Sequence, residues 1–527
     1  RAILRAPVDL LFNGGIGTYV KAHGESHADA GDKTNDAVRV DGAQLRARVV
    51  GEGGNLGLTQ RGRIEFALAG GQINTDAIDN AAGVNCSDHE VNIKVLLDAI
   101  VAAGDLTDKQ RNELLAEMTE GVADAVLHDS YRQTQSLTLA GAQAAGMLHV
   151  HDRFMRSLEV AGRLDRALEF LPGAEAIAER AAAKQGLTQP ELAVLLAYSK
   201  VLLYDALVGS DLPDDPRLDE DLRRYFPSPL PERYAAQMRG HRLRREIIAT
   251  RVANSLVDRA GTTFAFRLRE ETGASPADIA RAYTVAREVF GMRAFWEQVE
   301  HLDNVVDAGT QTAMLLDARR LVERGTRWLL RNCRRPIAIA DSIERYAPGA
   351  RTVFAALPDV LVEAEREAFV ARVTALEEAG APADAARTVA SLGALFAAFD
   401  VVEAADATGH SLEAVAALHF LIGGRLRLHW LRDRIAELPR DNRWQAMARA
   451  ALRDDLFALH GELTAHILRQ GEGNGDAWER LELWLDTNSG AVERCLAILS
   501  DIEATGTFDL TTLPVALREV RTLITSR

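Results

Sequence analysis

Four glycines in seven positions, "GEGGNLG" at 51–57, follow the β-branched pair Val49 and Val50. A glycine loop after a strand can cradle phosphates when its glycines fall at i, i+2 and i+5 and an amphipathic helix follows. Gly51 and Gly53 meet the first two places, but Leu56 stands at the third. The following "LTQRGRIEFALAGG" is polar and glycine-interrupted where a helix should gather strength. The earlier "NGGIGTY" fails alike, since Gly15 and Gly17 fit and Val20 does not. By glycine content alone, each loop is as well read as a tight turn with no ligand.

Taken together the loops say more. Asn13, Asn55 and Asn80 each stand beside glycine or another small residue, close to a short apolar run. A side-chain amide has two donors and an acceptor, so it can bond ribose hydroxyls or a carboxamide. Glycine lets a flat ring approach the backbone. Several such loops converging on one crevice describe half of a nucleotide-binding site.

The elements that position them come in two regimes. Up to about residue 100, short apolar runs such as "VDLLF" (8–12) and "ARVV" (47–50) end in Gly, Asn and Asp clusters. This pattern predicts buried parallel strands with ligand loops at their carboxyl ends, and an α/β class. Beyond about residue 105 the grammar is helical. Leu192, Leu195, Leu196, Leu202, Leu203 and Leu207 recur at spacings of three and four, with Thr188 and Glu191 as a capping box. Ser275 caps a second helix with Pro276 in its first turn, and Pro336 ends a third. The five prolines of 212–234 mark a loop or hinge, and no repeat of solenoid length is present.

With 527 residues and 47% hydrophobic content, roughly three or four domains are possible by length. The 61 basic against 76 acidic residues give a net charge of −15, which disfavours nucleic acid as a partner. No run of about 18 apolar residues predicts a membrane span. Three scattered cysteines, Cys86, Cys333 and Cys495, match neither a disulfide framework nor a zinc spacing and fit a cytoplasmic location. The chain opens on Arg1 and reaches "VDLLF" within eight residues, which suggests the carboxyl-terminal piece of a longer polypeptide.

At these residues a resemblance emerges. "GEGGN" is similar to the Glu-Gly-Ala-Asn element of the glutamate dehydrogenase family, and "DNAAGVNCSDHE" to its Asn-Ala-Gly-Gly-Val-x-x-Ser-x-x-Glu element. "NGGIGTYVKA", "VVGEGGNLGLTQRGRIEFA" and "DNAAGVNCSDHEVNIK" most resemble the large NAD-specific members, whose long helical carboxyl-terminal domain also resembles "LRREIIATRVAN", "DIARAYTVAREVF" and "RWLLRN". The implied fold is the α/β end of a Rossmann-type dinucleotide-binding domain (1–105), then a large, mainly α-helical domain. That domain comprises a first part (106–211), the proline-rich loop (212–234) and the remainder (235–527).

The resemblance implies NAD as cofactor and the conversion of L-glutamate to 2-oxoglutarate and ammonia. Asn55 would contact the nicotinamide end, with Gly53 beside it. Asn80 would lie near both carboxamide and substrate, and Ser87 would donate to the glutamate side-chain carboxylate. Asn13 and Gly14 would line the nicotinamide ribose. "GEGGNLG" would then border the nicotinamide half and not the pyrophosphate. No segment matches the family's catalytic lysine or aspartate elements, since Lys21 and Lys33 stand in other contexts. The catalytic residues are therefore expected upstream, with no turnover by this chain alone. Self-association through the helical domain is expected. The competing reading is a non-catalytic helical regulatory or assembly module with a residual nucleotide half-site.

Simpler readings stand beside these. Ser87 could merely cap a helix beginning at Asp88, with Asp88 and Glu90 at its amino end. Adjacent Asp88, His89 and Glu90 cannot all face one ion from a helix start, so no metal is expected. "HVHD" (149–152) reads as a core-satisfied or solvated set. "RGHRLRRE" (239–246) and "RNCRRP" (331–336) read as solvated faces or salt-bridge partners, with a regulatory anion or neighbouring subunit as the minority alternative. Trp296, Trp328, Trp430, Trp444, Trp478 and Trp484 read as core or interface anchors.

Overall fold

A computed structural model describes residues 1–440, 442–470 and 476–525. The chain divides into two compact units, 1–280 and 281–527.

In the first unit the apolar runs become three parallel strands, β1 (Leu10–Asn13), β4 (Val49–Glu52) and β5 (Gln72–Ile73), in the order β1–β4–β5. Asn13 pairs in register with Glu52, so the loops after β1 and β4 leave the sheet side by side. A second parallel pair, β2 (Val20–Lys21) and β3 (Val40–Asp41), lies between β1 and β4 in sequence. Helix α1 (Gln60–Leu68) carries the chain from β4 to β5, a parallel crossover. Val20, Val40, Val50, Leu58, Phe66 and Ile73 form the core beneath these elements. Side chains alternate across a strand. The opposite face therefore presents Leu10 and Phe12, which are 57% and 64% exposed.

Beyond β5 the unit is helical: α2 (Asp76–Asp79), α3 (Ala82–Ala102), α4 (Asp108–Glu117), α5 (Thr119–Val160), α6 (Ala174–Ala182) and α7 (Gln189–Val208). The chain passes residue 105 without leaving the unit. The 42 residues of α5 run about 63 Å. Thr188 and Glu191 form the expected capping box at α7. Residues 212–234 fold into short helical turns, including Asp219–Arg223 and Leu230–Arg233.

The second unit contains only helices among the described residues, the longest being Ala308–Asn332 and Arg443–Gln470. Trp328 stacks on Phe399 with ring centroids 4.6 Å apart, and Tyr346 meets both edge-on. Trp296 and Trp484 are buried. Of the core and interface alternatives, Trp444 and Trp478 are not core, being 72% and 50% exposed with Arg443 and Arg425 over their rings. No single helix among the described residues is long and apolar enough to cross a membrane; one bent pair, Ala383–Leu395 with Ala398–Thr408, meets that test by composition only as a pair.

Candidate functional site

The carboxyl ends of β1, β4 and β5 lie next to one another, and the site grows from their loops. Gly54 N donates to Asn13 O (3.0 Å), Tyr19 N to Gly57 O (2.8 Å) and Thr18 Oγ1 to Leu56 O (2.7 Å), which stitch the two glycine loops together. The close approaches favour glycine, most firmly at Gly54, where the neighbour is backbone. A Cβ on Gly53 would sit 2.4 Å from Phe12 Cζ, one on Gly54 2.4 Å from the Gly15 carbonyl oxygen, and one on Gly57 1.9 Å from Asn13 Nδ2. The loop packs against its own chain, which is a different use of glycine from cradling a phosphate.

The first turn of α1 is also occupied. Thr59 Oγ1 accepts from Gly62 N (3.0 Å) and donates to the Glu25 carboxylate (2.6 Å). A helix amino end already facing a carboxylate is a poor seat for pyrophosphate.

What holds the loop is a buried ionic network that the sequence reading missed. Glu52 is fully buried and accepts from Arg63 Nε (2.6 Å) and Nη2 (2.9 Å) and from Leu58 N (3.0 Å). Arg63 also reaches Asp76 (3.1 Å), whose other oxygen accepts from Leu56 N (2.8 Å). Asp79 accepts from Glu52 N (3.1 Å) and Asn74 Nδ2 (3.1 Å). Burial pushes the Glu52 carboxyl up, opposed by the two bonds from Arg63, and Arg63 keeps its proton through Glu52 and Asp76. Between the pinned amides, Leu56 adopts φ 56° and stands 64% exposed. A leucine in the left-handed region is strained and persists only where its surroundings impose it.

Among the expected site residues, Asn55 and Asn80 meet directly: Asn80 Nδ2 donates to Asn55 Oδ1. Asn55 lies on the loop after β4, and Asn80 ends the short helix after β5. Asn13, at the end of β1, accepts from Gly15 N through Oδ1 (3.4 Å), while its Nδ2 is buried without a partner. Gly14 is exposed and Gly53 half-buried in the same pair of loops.

Ser87 is exposed in the second turn of α3 and donates to Gly83 O (3.2 Å). Because α3 begins at Ala82, the capping reading of Ser87 is corrected, as is the placement of Asp88 and Glu90 at a helix amino end. Asp88 instead accepts from Tyr225 Oη (2.8 Å) and Asn92 Nδ2 (3.2 Å), and His89 stacks on Tyr225 at 4.5 Å.

Lys21 is buried and ion-paired to Asp41 (2.6 Å), whose second oxygen meets His23 Nδ1 (3.1 Å). The Lys21 bond, helped by His23, holds the Asp41 carboxyl below the usual range. Lys33 is exposed. No group of three or more potential metal ligands occurs among the described residues. Of the basic clusters, Arg239, Arg244 and Arg245 pair with Asp219 and Asp214.

The family model for the glutamate dehydrogenase carboxyl-terminal region matches residues 184–522. The model for the bacterial NAD-glutamate dehydrogenase catalytic domain matches residues 1–140. The chain thus matches a catalytic-domain model over its first 140 residues as well as the carboxyl-terminal one. The NAD-specific glutamate dehydrogenase of Pseudomonas aeruginosa is 46% identical over 525 residues, covering 100% of this chain and 32% of the relative. Those of Halomonas elongata and Mycobacterium tuberculosis are 47% and 41% identical over 520 and 522 residues, each covering 99% of this chain and 32% of the relative. The chain spans about a third of the length of these relatives.

Proposed function

The chain belongs to the glutamate dehydrogenase family, and from that premise we propose that it serves the NAD-dependent oxidative deamination of L-glutamate to 2-oxoglutarate and ammonia. The observation that carries the reading is the Asn55–Asn80 pair beside the ends of adjacent parallel strands. With Asn80 Nδ2 bonded to Asn55 Oδ1, the Asn55 Nδ2 donors and the Asn80 Oδ1 acceptor are left unspent by the pair. That is the complement of a primary carboxamide such as nicotinamide carries. The residues therefore fit the nicotinamide end of NAD, with Asn13, Gly14 and Gly53 lining the ribose side. We read the three-stranded sheet as part of a Rossmann-type domain.

NAD, when bound, supplies the hydride acceptor. The protein's own residues bind and orient: Asn55 and Asn80 fix the carboxamide, and Asn80 also faces the substrate. Ser87 turns its hydroxyl from Gly83 O to the side-chain carboxylate of glutamate. Self-association through the helical domain and a cytoplasmic location belong to the same proposal.

Glutamate-dependent NAD reduction by the complete enzyme tests this. Ser87→Ala removes one charge-assisted hydrogen bond, so kcat/KM for glutamate should fall by the equivalent of about 1.5–3 kcal/mol while NAD affinity holds. An unchanged kcat/KM would remove Ser87 from the substrate site. Absence of glutamate-dependent NAD reduction would remove the function.

A further inference from the structure

The second unit contains an open cavity of ≈ 610 Å³ lined by the helices Ala308–Asn332, Ala398–Thr408 and Arg443–Gln470. Arg324, Arg327, Trp328 and Arg331 present one helical face to it, at spacings of three and four. Its acidic residues are engaged or hydrated. Asp454 takes Arg331 and Arg453, and Glu403 takes Tyr346 Oη (2.6 Å) and Arg345 (3.0 Å). Asp455 and Glu462 are exposed. Asp400 accepts from Trp328 Nε1 (3.2 Å), and burial pushes its carboxyl up to about 7.

Arg327 pairs with Glu323 (3.0 Å), but Arg324 has no hydrogen bond or ion pair among the described residues. Its guanidinium lies 6.0 Å from the Phe457 ring centroid. Lost hydration, with the charges of Arg453, Arg432, Arg320 and Arg327, pushes it down to about 9. A half-buried guanidinium with no carboxylate partner, facing an open cavity, is free to take an anion. The lining holds four arginines against five carboxylates, so the feature that singles out an anion seat is the unpartnered Arg324 and not a basic surface.

We propose that this cavity binds the oxyanion group, phosphate or carboxylate, of a small molecule, with Arg324 as its principal ligand. Guanidinium suits either anion through paired N–H donors. Trp328 and Phe457 supply flat apolar walls for the rest of the molecule.

Calorimetric titration of the full chain with inorganic phosphate, and separately with malonate, at constant ionic strength tests this. At least one should bind saturably, and Arg324→Leu should weaken that binding roughly tenfold or more, with Arg324→Lys intermediate. Binding of phosphate alone would assign phosphate esters; binding of malonate alone would assign carboxylates. Because Arg324→Leu removes an uncompensated charge, its Tm in chloride buffer should equal or exceed that of the parent. Saturation by neither anion, equal affinity in both proteins, or a lower Tm for Arg324→Leu in chloride would overturn the proposal.

Discussion

Glu52→Ala should destabilise the first unit by about 3–5 kcal/mol, because it strands a buried arginine. Arg63 is 4% exposed and spends two N–H donors on Glu52. Asp76, its remaining carboxylate partner, is already bonded to Leu56 N. The substitution also frees Leu58 N, so the loop 53–58 loses one of its anchors as well as the pair. A urea titration followed by a probe in residues 1–280 would read the loss, and hydrogen exchange at Leu56 and Leu58 should rise with it. The paired change Glu52→Leu with Arg63→Met should recover most of the stability, since it removes both charges together. A loss under about 1 kcal/mol in the single variant would mean that the network does not hold the loop.

Acid should destabilise the chain steeply between pH 6.5 and 4. Burial pushes His151 down to about 4, and the positive neighbours His149 and Arg267 act in the same direction. His419 is driven well below its ordinary value by burial, and His460, stacked on it at 3.6 Å, down to about 4. Each is neutral when folded and takes a proton on unfolding. The unfolded chain therefore binds more protons in this window, and stability is full above pH 6.5 and falls as pH drops. For His151 alone the loss by pH 4 is ~3 kcal/mol. Asp400 has the opposite sign. Its raised value makes the folded state bind the extra proton between about 3.8 and 7, which offsets part of the loss. Denaturant midpoints from pH 7.5 to 4.5 should show the decline, and His151→Gln should flatten it. A profile level across this range would contradict the buried neutral histidines.

Much of the frame was readable because it is local. The apolar runs ending in glycine are strands β1 and β4, and the Thr188–Glu191 spacing is a real capping box. Asn55 and Asn80 were visible as amides beside small residues, but their hydrogen bond spans 25 positions and depends on β4 and β5 being neighbours. The Glu52–Arg63 pair was hidden because "LTQRGRIEFALAGG" read as too polar and glycine-broken for a firm helix, whereas α1 forms there and turns Arg63 to Glu52. The reason for the glycines was hidden too, since Phe12, Gly15 and Asn13 are the crowding groups and lie about forty residues away. Ser87 misled as a cap because α3 starts at Ala82 without any side-chain cap. For Trp444 and Trp478 the choice between core and surface was not legible, because residue type alone does not decide burial.

In the function proposed for this chain, the strand-end loops face nicotinamide and not pyrophosphate. The most direct measurement compares the binding of nicotinamide mononucleotide and of ADP to the complete enzyme and to its Asn55→Ala variant. Loss of the Asn55 donor should weaken nicotinamide mononucleotide roughly five- to tenfold, for a hydrogen bond of about 1–1.4 kcal/mol, and leave ADP unchanged. Equal weakening of both, or of ADP alone, would place the glycine loop at the phosphates and contradict the account.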